Sequence, residues 1–262
     1  MANTAVLEQP KRGESHGFTW VSAEGRQLSR TGEWDVVGQQ HQILSAKVEP
    51  GETVHLEPGS MMYMGPGVRV EVNCDRCFPR CMGGEACAIM EYTNEGPRPT
   101  YVGITSSVPA EVVALDLETY DVVHARRGSF MSALGRGNAG FECDCNPLTC
   151  CCAGFGMCRQ TISGAPGTAF VQATGTVERK ALKSGETLVV DSYSLVAWHD
   201  ATLGVRPVGT CGACCCGGEG CCYTTITGPG TAWVQSMPWE LYRRHMGVVV
   251  QLDKNGNVKG VS

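Results

Sequence analysis

Sixteen cysteines stand in or beside three glycine-rich cassettes, and their spacing is the chemistry the chain offers most openly. The first cassette holds Cys74, Cys77, Cys81 and Cys87 around Gly83, Gly84 and Glu85. Cys77, Cys81, Gly83, Gly84, Glu85 and Cys87 recur with unchanged spacing as Cys211, Cys215, Gly217, Gly218, Glu219 and Cys221. A middle cassette, entered through Cys143 and Cys145, lies between these two. Its Cys150, Cys151, Cys152, Gly154, Gly156 and Cys158 fall in register on Cys214, Cys215, Cys216, Gly218, Gly220 and Cys222. The register that joins the first and last cassettes also carries Gly51-Glu52-Thr53 onto Gly185-Glu186-Thr187 and Thr93 onto Thr227. Repetition over this length means one supersecondary unit used three times.

Four chemistries compete for these thiols. Cys74-x-x-Cys77 and Cys211-x-x-Cys214 have the spacing of a zinc or iron half-site, two thiolates flanking a tight turn, with the glycines relieving strain as backbone folds round an ion. Cys150-Cys151-Cys152 and Cys214-Cys215-Cys216 are contiguous, and neighbours on an extended segment point to opposite faces, which suits one ion poorly. Contiguous cysteines beside glycine, Phe155 and Met157 instead resemble S-acylation sites, where two or more chains anchor a protein stably. A third reading packs the cysteines as small apolar residues in tight loops; a fourth is disulfide or redox chemistry. Catalysis is not expected. A cysteine nucleophile needs a base or a cationic neighbour, and no His, Asp or Glu recurs in all three cassettes, since Glu85 and Glu219 face Phe155 in the middle copy.

Composition narrows the setting. The chain has 262 residues, 42% hydrophobic and 18% charged, enough for one large β domain and unlike a disordered chain. Net charge is −5 and basic residues gather only in pairs such as Arg126-Arg127 and Arg243-Arg244, so no basic stripe exists for nucleic acid. No apolar run approaches the roughly 20 residues of a membrane-spanning helix. Residues 1–15 carry no apolar core segment and read as neither a secretory signal nor an import presequence. The cysteines are therefore expected to be cytosolic thiols, in a cytoplasmic protein with peripheral membrane contact.

The elements that must position these loops are strands. Residues 1–40 are polar and turn-rich and read as a flexible extension with a short strand near Phe18 to Val21; residues 253–262 read as a tail that turns at Asn255-Gly256 and frays. Between them, over 41–252, Val48, Val54 and Leu56, then Val68, Val70 and Val72, alternate with polar positions. Val112 to Leu117, Leu188 to Val190, Leu195 to Trp198 and Gly247 to Leu252 are further strand candidates, and turns such as Pro58-Gly59 and Gly228-Pro229-Gly230 punctuate the chain. No extended stretch keeps helical period; Leu241 to Met246 suits one turn of helix. The expected fold is all-β, a double-stranded β-helix or β-sandwich built from three degenerate repeats in a pseudo-threefold arrangement that gathers the cysteine loops at one pole.

Several segments in order carry a resemblance. Gln42-Ile43-Leu44, Val48-Glu49-Pro50-Gly51-Glu52-Thr53-Val54 and Glu57-Pro58-Gly59-Ser60-Met61-Met62-Tyr63-Met64 open it. Lys183-Ser184-Gly185-Glu186 with Leu195-Val196-Ala197-Trp198 continues it, and Gly217-Gly218-Glu219-Gly220 with Gly228-Pro229-Gly230-Thr231-Ala232-Trp233-Val234-Gln235 closes it. Together they resemble the altered-inheritance-of-mitochondria protein 24 family over roughly residues 41 to 252. The resemblance implies a fold like that of the tryptophan RNA-binding attenuation protein, with internal duplication, no established catalytic residues, a mitochondrial location as the alternative to a cytoplasmic one and, for mitochondrial members, a link to inner-membrane organisation. Relatives usually carry Gly, Leu and Phe in the repeated loops where this chain carries cysteines.

Other signals weigh less. Gly135-Arg136-Gly137-Asn138-Ala139-Gly140 matches the dinucleotide fingerprint as a string, yet Phe141 to Pro147 cannot open the helix that a phosphate site needs. The six histidines show no metal-ligand spacing, and Met61 to Met64 reads as core or sheet packing. The resulting expectation is a non-enzymatic scaffold or membrane-associated organising protein, homo-oligomeric, whose cysteine loops bind metal or carry acyl chains. The alternative is a module that binds or senses zinc or iron.

Overall fold

In the computed structural model the described residues are 18–20, 26–28, 32–39, 41–143, 155, 158–209, 222–246, 250–252 and 258–261, with side chains described from residue 32 to residue 243 of these. More than half of them are strand, and helix is scarce. Three short strands lead in: β1 (Phe18–Trp20), β2 (Arg26–Leu28) and β3 (Trp34–Val37). Eighteen more fall into three consecutive sets of six. The first is β4 (Ile43–Val48), β5 (Thr53–Leu56), β6 (Met61–Met64), β7 (Val68–Asn73), β8 (Ile89–Asn94) and β9 (Thr100–Thr105). The second is β10 (Glu111–Asp116), β11 (Val122–Ala125), β12 (Phe130–Gly135), β13 (Asn138–Cys143), β14 (Cys158–Ser163) and β15 (Gly167–Ala173). The third is β16 (Val177–Leu182), β17 (Thr187–Val190), β18 (Leu195–His199), β19 (Thr202–Pro207), β20 (Cys222–Thr227) and β21 (Gly230–Gln235). Helix α1 (Cys77–Gly83) sits between β7 and β8; α2 (Trp239–Met246) follows β21, and β22 (Val250–Leu252) pairs with β23 (Val258–Val261).

Every set is paired in the same way. The sixth strand lies between the first and the third, and the fifth lies between the second and the fourth, all antiparallel. The third strand slips register at one place in each set: Met61/Tyr63, Phe130/Ser132 and Leu195/Ala197. This recurrence concerns connectivity and register, not placement about a common axis. The four principal sheets, of seven, six, five and three strands, remain open and no barrel closes.

The residues shared by the first and third sets explain the local geometry. Gly51 and Gly185 take φ of 80° and 76°, a conformation that costs glycine nothing. One residue on, Glu52 accepts a hydrogen bond from the Glu49 amide at 3.0 Å and Glu186 from the Lys183 amide at 2.9 Å. Thr53 then bonds Thr93 across the ladder at 2.8 Å, and Thr187 bonds Thr227 at 2.9 Å. Glycine admits the turn, glutamate closes it, and the threonine pair sets the register.

Alternation decides what is buried. Leu44, Ala46 and Val48 of β4 are buried, as are Val54 and Leu56 of β5. One core cluster collects β3, β4, β5 and β9 side chains against Phe170, which Trp34 meets edge-on at 5.2 Å. A second centres on Leu115, Phe130, Ile162 and Trp233, and a third on Trp198, Ile226 and Phe155.

Several expectations need correction. Trp34 and Val36 are buried against β4, so the extension assigned to residues 1–40 contributes to the core. The tail assigned to 253–262 does not fray throughout, because β23 pairs with β22. Helix α1 was unforeseen: it has seven residues, too short to display a period. All four residues of β6 are exposed, at 37, 53, 40 and 42%, although their composition reads as core. Gly135 to Asn138 is a turn between β12 and β13, strands of different sheets, as the rejection of the dinucleotide reading expects.

Candidate functional site

Helix α1 brings three cysteines together. Cys77 and Cys81 lie one turn apart on it, and Cys87 returns toward it after the glycine pair. The three sulfurs all lie within 4.8 Å of one another. Tetrahedral zinc with thiolate bonds of about 2.3 Å needs sulfurs roughly 3.8 Å apart, a spacing that Cys81 and Cys87, bonded to each other, reach only once that bond is reduced. Cys74 is one turn upstream, where its carbonyl accepts the Cys77 amide at 3.0 Å. It is exposed and lines a shallow surface depression with Glu71, Asn73, Asp75 and Glu91.

Cys81 and Cys87 are joined by a disulfide, while Cys77 and Cys74 are free thiols. Cys143 and Cys158, directly opposite each other on β13 and β14, are joined as well. These bonds differ from the all-thiol state expected from the sequence. The reason is proximity: one pair spans a helix end, the other a cross-strand site, and in both the sulfurs fall within bonding reach. Cys222 lies opposite Pro207 on β20. Cys145, Cys150, Cys151, Cys152, Cys211, Cys214, Cys215, Cys216 and Cys221, with Gly154, Gly156, Gly217, Gly218 and Gly220, lie outside the described residues.

The first cassette docks on the second unit, and its glycines are explained by that contact. A Cβ on Gly83 would stand 2.9 Å from the Phe141 ring and 3.1 Å from the Cys158 carbonyl oxygen. Gly84 caps α1 with φ of 77°, its amide turned back to the Arg80 and Cys81 carbonyls, and the Arg127 guanidinium fills the space beside it. Gly83 and Gly84 thus serve close packing and the helix cap, where the sequence reading has them bend round an ion.

Charge holds the same junction. Arg80, almost wholly buried, donates to Glu57 Oε2 at 2.6 Å and to the Ala86 carbonyl at 2.6 Å, and lies over the Phe141 ring. Burial pushes the Glu57 carboxyl above its ordinary value, with Arg80 pulling the other way. Glu85 accepts the Gly128 amide at 2.7 Å, and burial lifts it to about 7. Glu85 therefore ties the cassette to the turn between β11 and β12. In the middle cassette Phe155 is buried against Trp198 at 5.7 Å and beneath the Arg126 guanidinium at 5.3 Å. It is core, not part of an apolar outer surface. The first two cassettes are thus neighbours through α1, β13 and β14, while most of the third lies outside the described residues.

A second cluster escaped the sequence reading. His199 Nδ1 donates to the Val122 carbonyl at 3.0 Å, leaving Nε2 3.3 Å from an Asp200 oxygen, with Asp121 3.7 Å from Nδ1. Both carboxylates are largely exposed. Asp121 and His199 stand far apart along the chain, with no spacing signal that could reveal the group.

Residues 34–237 match the family described as mitochondrial biogenesis AIM24. The chain belongs to this family. The sequence resemblance, the all-β architecture and the family match agree, and the family links the chain to mitochondrial biogenesis. No curated relative matches it. The crystal structure of protein SPYM3_0169 from Streptococcus pyogenes is similar at 21% identity and a TM-score of 0.65, covering 81% of this chain and 97% of that one. That likeness concerns the fold. Among the described residues no helix is long and apolar enough to cross a membrane.

Proposed function

We propose that this AIM24-family chain is a non-enzymatic organising protein whose α1 loop binds one zinc ion when its thiols are reduced. One observation carries the reading: the sulfurs of Cys77, Cys81 and Cys87 stand within 4.8 Å of one another. Cys74, one turn away and exposed, is the natural fourth ligand. Thiolate donors select soft or borderline cations over magnesium and calcium, and a closed set of four thiolates is structural, with no open position for a substrate. The Cys81–Cys87 bond and the ion exclude each other, because metal needs both sulfurs as thiolates. Occupancy then follows the redox state of this one pair, and loading releases the thiol protons.

The test is elemental analysis and cobalt substitution on protein kept in a phosphine reductant, loaded and desalted. One metal equivalent should disappear in Cys77→Ser and in Cys81→Ser, and the thiolate-to-cobalt charge-transfer band should fall with it. A wild-type chain that retains no metal, or retains the same amount in both variants, sinks the proposal.

A second reading has its own support. Phe78 is 76% exposed and Met82 40%, one turn apart on α1, so the helix presents an apolar face beside an exposed cysteine. S-acylation of Cys74 would add to that face and hold the chain to a bilayer. A native intact mass unchanged by hydroxylamine removes this reading.

A further inference from the structure

The three six-strand sets join one another by a rule, and two strands are left over by it. Each set makes two three-stranded groups. The third strand edges one; the second strand edges the other. Where sets meet, the third strand of the later pairs antiparallel with the second strand of the earlier: β12 with β5, and β18 with β11. Both junctions use one register. Ser132 faces Leu56 and Ala133 faces His55, while Ala197 faces Ala125 and Trp198 faces His124. Ser132 and Ala197 each stand just past the register slip of their strand. Leu56 and Ala125 each stand three residues after the strand opening that faces Thr93 or Ser163.

Among the described residues, the third strand of the first set, β6, and the second strand of the last set, β17, lack that junction. Their exposure shows the difference. In β12 five of six residues are buried and in β18 four of five, whereas all four of β6 are exposed. Val54 and Leu56 of β5 are buried, and so are Val123 and Ala125 of β11. Their counterparts Leu188 and Val190 of β17 are only partly covered, and Val189 is 40% exposed. The polar backbone of β6 is available too. The Gly65 amide donates to Tyr101 at 2.8 Å, and alternation along the strand turns the Met64 amide and carbonyl away from β9. Neither strand carries a charge or proline, the residues with which edge strands refuse partners.

We propose that β6 of one copy pairs antiparallel with β17 of a second copy, head to tail, repeating the junction already made twice within the chain. Transferring the register puts Tyr63 opposite Val190 and Met64 opposite Val189. The contact is heterologous, because each copy offers two different edges. It therefore closes into a ring or extends as a filament, according to the rotation between copies. The occupant is a second copy of this chain, because β17 is an edge of matching register and apolar character, and no other edge strand among the described residues has that relation to β6.

The experiment uses the full chain with reductant present, so that intermolecular disulfides are not scored. Mass is followed by light scattering and native mass spectrometry across a concentration series. The wild type should assemble. Met64→Lys and Val189→Glu, both at exposed positions, should each weaken association by roughly tenfold or more, because each puts one uncompensated charge into an apolar pairing. The M64K/V189E double variant should recover most of the loss, since the new charges face each other. Mixing the two single variants should also recover assembly, with the two alternating. A wild type that stays monomeric, with its own β6 closed on its own β17 or with both edges covered by other segments, overturns the proposal. So does assembly that the single variants leave unchanged, or a double variant no better than either single one.

Discussion

Arg80→Ala tests how the cysteine helix is held. Arg80 has 2% of its side chain exposed and faces Glu57, at 16%. The substitution removes the ion pair, the bond to the Ala86 carbonyl and the cover over Phe141, and leaves a carboxylate in a site that already disfavours charge. Breaking a buried pair from one side costs about 3 kcal/mol or more, and at 2–4 °C per kcal/mol for a chain of this size the melting temperature should drop roughly 6–12 °C. The cost depends on pH. Burial holds the Glu57 carboxyl above its ordinary value in the folded state, and loss of Arg80 raises it further. Below that raised value the carboxyl is protonated and the penalty is small; as pH climbs through it, the folded variant loses stability. Urea titrations in reductant near pH 5 and pH 8 should therefore show a midpoint shift that grows toward the higher pH. Alkylation of Cys77 should accelerate as α1 loosens. Glu57→Gln in the Arg80→Ala background should restore part of the loss. A shift below roughly 1 kcal/mol at both pH values, or a double variant as unstable as the single one near pH 8, refutes the buried-pair account.

Glu85→Gln keeps the acceptor for the Gly128 amide but cannot ionise; because burial lifts Glu85 to about 7 from an ordinary 4.5, the wild type should lose stability as pH rises from the ordinary range through about 7, and the variant should lose less, read as a flatter stability-against-pH curve. Glu111, also held at about 7 by burial, leaves its own slope in both proteins. Gly83→Ala should cost roughly 1–3 kcal/mol by forcing Phe141 and the Cys158 backbone apart, measured by denaturant midpoint; an unchanged midpoint would mean that α1 does not dock on the second unit in solution.

Much of the strand grammar is local, and local features were readable. Gly51-Glu52-Thr53 and its later copy Gly185-Glu186-Thr187 make the same turn and the same threonine pair, because a positive φ, a short carboxylate reach and a cross-strand hydroxyl pair need no distant partner. Strand positions such as Val48, Val54 and Leu56 followed from alternation and turn residues for the same reason. Met61 to Met64 misled because an apolar run states that burial is favourable, not that a neighbour is present. Its counterparts Phe130 to Leu134 and Leu195 to Trp198 are covered by strands of the preceding unit; among the described residues no such strand lies against β6. Helix α1 was hidden by its brevity, and His199 met Asp121 only because β18 pairs with β11.

By itself the chain determined the all-β class, many of its turns, and the clustering of thiols in three glycine-rich cassettes, since period-two burial and glycine turns are read over a few residues. Tertiary structure decided which sulfurs meet, that Gly83 and Gly84 serve a docking contact, and that β6 and β17 are left as edges. Those outcomes depend on how one unit lies against the next. That relation is set by pairing between distant strands, and no window of sequence contains both partners.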